Sequence, residues 1–164
     1  MRWHGQPEVA RAFADTALVL IRALREDSLL PQPVAESATG EALLERGDYA
    51  ESQAGFLDLL EKQPQHVRAV THAGIAAAFA GDTTTALDML RRLDANVASR
   101  GDTAWRAFRQ ARILAALGRK DQAVANLRVA VAFGLTAAEN FHADIAFERL
   151  RGYPTFETLV RPRK

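Results

Sequence analysis

Four residues in the second half of the chain carry the most recognisable chemistry for their spacing: Trp105, Phe108, Arg109 and Arg112. On a helix, Trp105 and Arg109 stand one turn apart, so a guanidinium can lie over an indole face. Arg109 and Arg112 share a side from which they can fork to a carboxylate or a phosphate. This is the chemistry of holding an anion or a flat ring rather than of breaking bonds. The same spacing also suits two arginines on a solvated helix face and a tryptophan used for packing, and it leaves both readings open.

Catalytic and metal chemistry find little support. The histidines are His4, His66, His72 and His142. His66 and His72 are six residues apart, with no carboxylate at helical spacing to complete a metal site, and His142 is too near Asp144 to form an ordinary helical ligand pair. The chain has no cysteine, which removes disulfides and thiolate ligands. Glu41 and Glu45 form an exposed helix face before they form an acid/base pair. No phosphate loop, dinucleotide glycine fingerprint or nucleophile elbow occurs. The expectation is a protein that is not an enzyme, with no catalytic residues, no cofactor and no metal.

Composition bounds the rest. A chain of 164 residues with 48% apolar and 25% charged residues fits one globular domain spanning 1–164. Alanine and leucine dominate, which favours helix. A net charge of +1 provides no general attraction to nucleic acid or an anionic membrane. The start carries Arg2, Glu8 and Arg11 where a signal peptide needs an apolar core, and no run nears the roughly 18 apolar residues of a membrane span. A soluble, cytoplasmic protein with no membrane partner is expected.

The elements that would position these residues come from an internal repeat. Gly5, Gly47, Gly81 and Gly118 follow one another at intervals of 42, 34 and 37 residues. Five residues after each stands a small side chain: Ala10, Ser52, Ala86 and Ala123. Nine after stand Ala14, Phe56, Leu90 and Leu127, and seven before the last three stand Gly40, Gly74 and Ala111. Small residues at fixed points let two antiparallel helices approach to roughly 8–10 Å, with larger apolar side chains alongside. Each glycine suits the left-handed position that ends a helix, and Asp48 and Asp82 are placed as N-caps, with Glu51 completing a capping box.

This spacing, with Gly40, Leu43, Gly47, Phe56 and Pro64 in place, resembles the tetratricopeptide repeat family. The departures are Ser52 for the usual alanine, and Ala98 and Leu135 where closing prolines would stand. The resemblance implies an all-α, right-handed solenoid of helical hairpins, about three and a half repeats long. Residues 1–32 would form a half repeat with a long N-terminal helix. Residues 33–66, 67–103 and 104–137 would form the repeats, and 138–164 a short helical C-terminal cap. Pro7 would open the first helix, with an apolar stripe of Val9, Ala10, Phe13, Ala17, Leu20, Ile21 and Leu24. Thr136 to Glu139 would cap a short helix carrying Phe141, followed by pieces at 144–150 and 154–160. The phrase Leu150-Arg-Gly-Tyr-Pro-Thr-Phe156 is similar to endings of bacterial tetratricopeptide chains, some of them regions attached to serine/threonine kinases, nucleotide cyclases or transcriptional regulators.

In such a fold the first helix of each repeat lines a concave groove. The resemblance places Val34, Ser37, Ala38 and Glu41, then Arg68, Thr71, His72 and Ile75, then Trp105, Phe108, Arg109 and Arg112 along it. The expected function is a non-catalytic scaffold or adaptor holding a peptide or partner domain through Arg68, Thr71, His72, Trp105, Phe108, Arg109 and Arg112. Residues 36–51 carry five acids and one base, and residues 100–120 six bases and one acid, so a partner with an acidic segment would be oriented.

Two other readings remain. Only four residues precede Gly5, so the opening helix lacks a partner. Either the chain is cut from a longer protein, or the long helix packs back on itself differently, or another chain covers the helix, giving a regulatory module of a bacterial signalling protein that forms a homo-oligomer through residues 7–26. The basic 100–120 segment with Trp105 and Phe108 also has the composition to hold a nucleic acid.

Overall fold

The computed structural model describes residues 7–95, 102–135, 141 and 144–161. Seven helices follow in order: α1 (Pro7–Glu26), α2 (Gln32–Arg46), α3 (Tyr49–Lys62), α4 (Val67–Ala80), α5 (Thr83–Ala95), α6 (Asp102–Ala116) and α7 (Lys120–Ala132). A 3₁₀ segment (Ile145–Leu150) and α8 (Pro154–Val160) close the described chain. The fold is all-α, with no strand among the described residues. Gly5, His4, His142, the connection 96–101 and the capping-box sequence Thr136 to Glu139 lie outside the described residues.

The turns form as their residues dictate. Gly47 and Gly81 take φ of 96° and 87°, where a Cβ would be strained. The following amide then reaches back over the helix end, from Asp48 to the Leu43 carbonyl at 2.9 Å and from Asp82 to the Ala77 carbonyl at 2.8 Å. Gly118 repeats this, with the Arg119 amide on the Leu114 carbonyl. These are helix-ending turns that satisfy carbonyls the helix leaves open. Asp82 caps α5, its Oδ1 accepting from the Thr85 amide at 3.0 Å. Asp48 does not cap α3 as expected. Its carboxylate pairs instead with the Arg46 guanidinium, a charged donor that outcompetes a neutral amide.

Each of the seven helices packs on its successor, and α2 also touches α4 while α4 touches α6. Small residues make these approaches possible. A Cβ added at Gly40 would lie 2.7 Å from the Phe56 ring, and one at Gly74 would lie 2.6 Å from Ile113 on α6. The first glycine closes a hairpin and the second joins neighbouring hairpins. Ser52, Ala86 and Ala123, five residues past their glycines, are fully buried. Ser52 departs from alanine for a visible reason: its hydroxyl donates to the Gly40 carbonyl at 2.7 Å.

The buried side chains form two adjoining clusters, around Phe56, Leu59, Ile75 and Leu93 and around Leu127, Phe141, Phe147 and Phe156, with Leu90 touching both. Ala146, Phe147, Leu150, Phe156 and Val160 are buried in the C-terminal segment. The helical turn expected over 144–150 is a 3₁₀ segment, and Asp144 caps it by accepting from the Ala146 amide at 3.0 Å.

At the other end, α1 lies on α2 with Ala14 buried. The apolar stripe expected to pack is only partly covered, for Phe13, Leu20 and Leu24 are 58%, 57% and 40% exposed. They sit on the flank of α1, about 80–120° around the helix from Ala14 at 100° per residue.

Candidate functional site

Alternate helices present their side chains to one groove. Ala38, Glu41 and Glu45 come from α2, Arg68 and His72 from α4, and Phe108 and Arg112 from α6. Asp144, Ile145 and Glu148 close one end from the 3₁₀ segment, and Arg151 follows them. The opposite wall is α1, through Ala10, Phe13, Ala14, Ala17 and Ile21. The groove has a volume of about 1080 Å³. That is at the upper end of small-molecule sites, which run to roughly 1,000 Å³. The α1 wall is apolar apart from Arg11, and the other is charged.

The α4–α6 contact fixes the polar floor. His72 is buried, stacked on the Phe56 ring with centroids 5.3 Å apart. Its Nδ1 lies 2.9 Å from the Arg68 carbonyl, so Nδ1–H donates and the Nε2 lone pair faces Arg112 Nη2 at 3.5 Å. Burial, and then the Arg112 charge, push the His72 imidazole down to about 4, so it is neutral at pH 7. Arg112 in turn meets Asp144, with Nη2 donating to Oδ1 at 3.3 Å and Nε 2.7 Å from Oδ2. The Nε contact is close but its N–H is not aimed at the carboxylate, which makes it ionic rather than a directional hydrogen bond. The Arg112 guanidinium also lies 5.9 Å from the centre of the Phe108 ring.

The remaining candidates fall in different places. Arg68 reaches back to Glu41 at 2.6 Å across the α2–α4 contact and is largely exposed. Thr71 is 1% exposed and its hydroxyl donates to the Val67 carbonyl, which puts it inside the packing rather than on the groove wall. Phe108 stacks on Phe141 at 5.5 Å and also meets Phe147. Trp105 is half exposed, with its ring edge-on to Phe108 at 6.0 Å, and Arg109 lies 5.9 Å from the Trp105 ring centre. Trp105 and Arg109 thus make the one-turn stack that their spacing allows, one helical turn before the residues that line the groove. Val34 is exposed, whereas Ser37 and Ile75 are buried.

Two lining residues carry no local sequence signal. Glu45 is reached by water through the groove yet has protein around it. This enclosure, with the Asp144 carboxylate next in weight, raises its carboxyl above the usual range. Tyr49 stacks on Phe79 at 5.0 Å, and burial followed by the Glu148 and Glu45 carboxylates raises its phenol. Among the described residues no group of His, Cys, Asp or Glu is arranged to hold a metal ion, and no helix is long and apolar enough to cross a membrane.

Comparison of the chain with protein-family models, with curated proteins and with solved structures finds no match.

Proposed function

We propose that the chain is a tetratricopeptide-like, right-handed solenoid of about three and a half repeats that works as a non-catalytic scaffold. A peptide or partner domain occupies its concave groove. The observation that carries this reading is the alternation of walls: α2, α4 and α6 pack in sequence and each sends side chains into the same groove of about 1080 Å³. Arg68, His72, Phe108 and Arg112 line it, and Trp105 and Arg109 extend its α6 edge. The reading places the protein in the cytoplasm, where a chain without cysteine is suited to a reducing compartment.

A library of 16-residue peptides displayed on phage and selected against the intact protein tests the proposal. Replacing Trp105 and Arg109 together by alanine removes the half-exposed Trp105 and the partly buried arginine stacked on it, so capture is expected to weaken at least tenfold with a nearly unchanged melting temperature. Peptides that bind the variant equally well count against the α6 edge. An absence of any peptide that depends on the groove counts against the scaffold reading.

The exposed flank of α1 supports a second reading, a dimerisation module of a signalling protein working through residues 7–26. Phe13, Leu20 and Leu24 make an apolar surface of the kind that marks interaction sites. Light scattering at micromolar concentration tests it. A dimer that Leu20→Glu and Leu24→Glu return to monomer supports it, and a wild-type monomer rejects it. A nucleic-acid role for 100–120 has less support, because Arg112 is held by Asp144. Micromolar, steeply salt-dependent binding of a fluorescent oligonucleotide would favour it over the peptide groove.

A further inference from the structure

The groove's charges are unequally committed. Arg112 is held by Asp144, Arg68 by Glu41, and Arg46 by Asp15 and Asp48. An acidic partner would have to displace these carboxylates. Glu45 and Glu148, by contrast, line the same groove and form no ion pair among the described residues. They flank Tyr49, whose ring is held in place by its stack on Phe79. Two carboxylates beside a fixed aromatic ring are the groups that hold an ammonium or guanidinium, by charge and by the ring face. Facing them is the wall of α1, apolar at Phe13, Ala17 and Ile21 and carrying Arg11.

We propose that the groove takes a peptide segment carrying a lysine or arginine among apolar residues, its cation held by Glu45, Glu148 and Tyr49 and its apolar side chains laid on α1. This rests on the groove reading above and names the chemistry of its occupant. The local field agrees. Glu45 and Tyr49 both titrate above their ordinary ranges, and in each the nearest carboxylates outweigh the nearest arginines. The two lining arginines outside any ion pair among the described residues, Arg11 and Arg151, are exposed and act on these groups more weakly than the carboxylates do. An acidic segment would meet Glu45 and Glu148, which no ion pair neutralises among the described residues. A cationic one would relieve the cost of keeping Glu45 ionised near Asp144.

The test uses the same 16-residue library, selected against the intact protein and against a Glu45→Lys, Glu148→Lys variant. Both side chains are reached by water, Glu45 through the groove, so the variant is expected to fold, and its circular dichroism melt checks this. The milder Glu45→Gln, Glu148→Gln pair serves if it does not. Wild-type binders are expected to carry lysine or arginine among apolar residues and to lose at least tenfold in affinity for the glutamine pair. The lysine variant should select acidic peptides. Binders that are acidic or uncharged, or indifferent to Glu45 and Glu148, yet lost on Phe13→Asp, would overturn the cationic occupant while leaving the groove in place. Binders indifferent to all of these changes, or no binders, would overturn both.

Discussion

The Arg112 guanidinium on α6 lies 2.7 Å from the carboxylate of Asp144, which also caps the 3₁₀ segment through the Ala146 amide. One aspartate thus ends a segment, anchors it to the repeat stack and neutralises an arginine beside the buried His72. Both partners are mostly enclosed, at 16% and 15% exposure. Losing either one leaves the other charge in a poorly hydrated place. Arg112→Ala and Asp144→Ala are each expected to cost about 2–4 kcal/mol in urea unfolding. The double variant should cost less than the two added together. Additive losses would mean that the pair does not act as a unit.

His72 makes stability depend on pH. Its folded value is pushed down to about 4 against an ordinary value of 6.5. The unfolded chain therefore takes up the proton first as pH falls. The stability is fully present above pH 6.5 and is lost as pH falls from there towards 4. The loss attributable to His72 is expected to be about 2 kcal/mol by pH 5. His72→Phe retains an aromatic ring over Phe56 and removes the titration, so the difference between it and the wild type should be constant above pH 7, where only the lost contacts to Arg68 and Arg112 count, and should shift in the variant's favour as pH falls to 5. A difference that does not change from pH 7 to 5 would contradict the assignment.

Two glycines separate packing from propensity. Gly40→Ala puts a methyl 2.7 Å from the Phe56 ring and is expected to cost about 1–3 kcal/mol, because the ring must move in a filled core. Gly55 sits on the exposed side of α3 with nothing within 4 Å of the added Cβ. Gly55→Ala should therefore stabilise by about 0.5–1 kcal/mol through helix propensity alone. Thermal melts of the two variants read opposite signs. Equal effects would mean that the α2–α3 approach is not as close as described.

The turns were legible because their determinants are local. Gly47, Gly81 and Gly118 each end a helix with positive φ, and the small residues at fixed spacing from them are buried. Phe56 follows the same logic, since it fills the space that Gly40 leaves. Long-range polar pairing was not legible. Arg112 and Asp144 are 32 residues apart, and nothing in the periodicity of α6 says which carboxylate meets its arginine. Asp48 was misread as a cap for a related reason. Its position was right, but Arg46 two residues earlier offers a charged donor. The stripe of α1 shows another limit, because helical spacing identifies a face without saying what covers it. Glu45 and Tyr49 look like ordinary helix residues until α1 and the 3₁₀ segment are laid against them.

The central claim is that a partner lies in the groove lined by α2, α4 and α6. The most direct measurement fills it. Ala38 lines the groove, whereas Ala54 is exposed on α3 and is not part of its lining. Peptides selected against the wild type are measured by fluorescence anisotropy against Ala38→Trp and Ala54→Trp, with melts confirming that both fold. Affinity should fall at least tenfold for Ala38→Trp and stay unchanged for Ala54→Trp. Full-strength binding to Ala38→Trp would place the partner elsewhere and contradict the account.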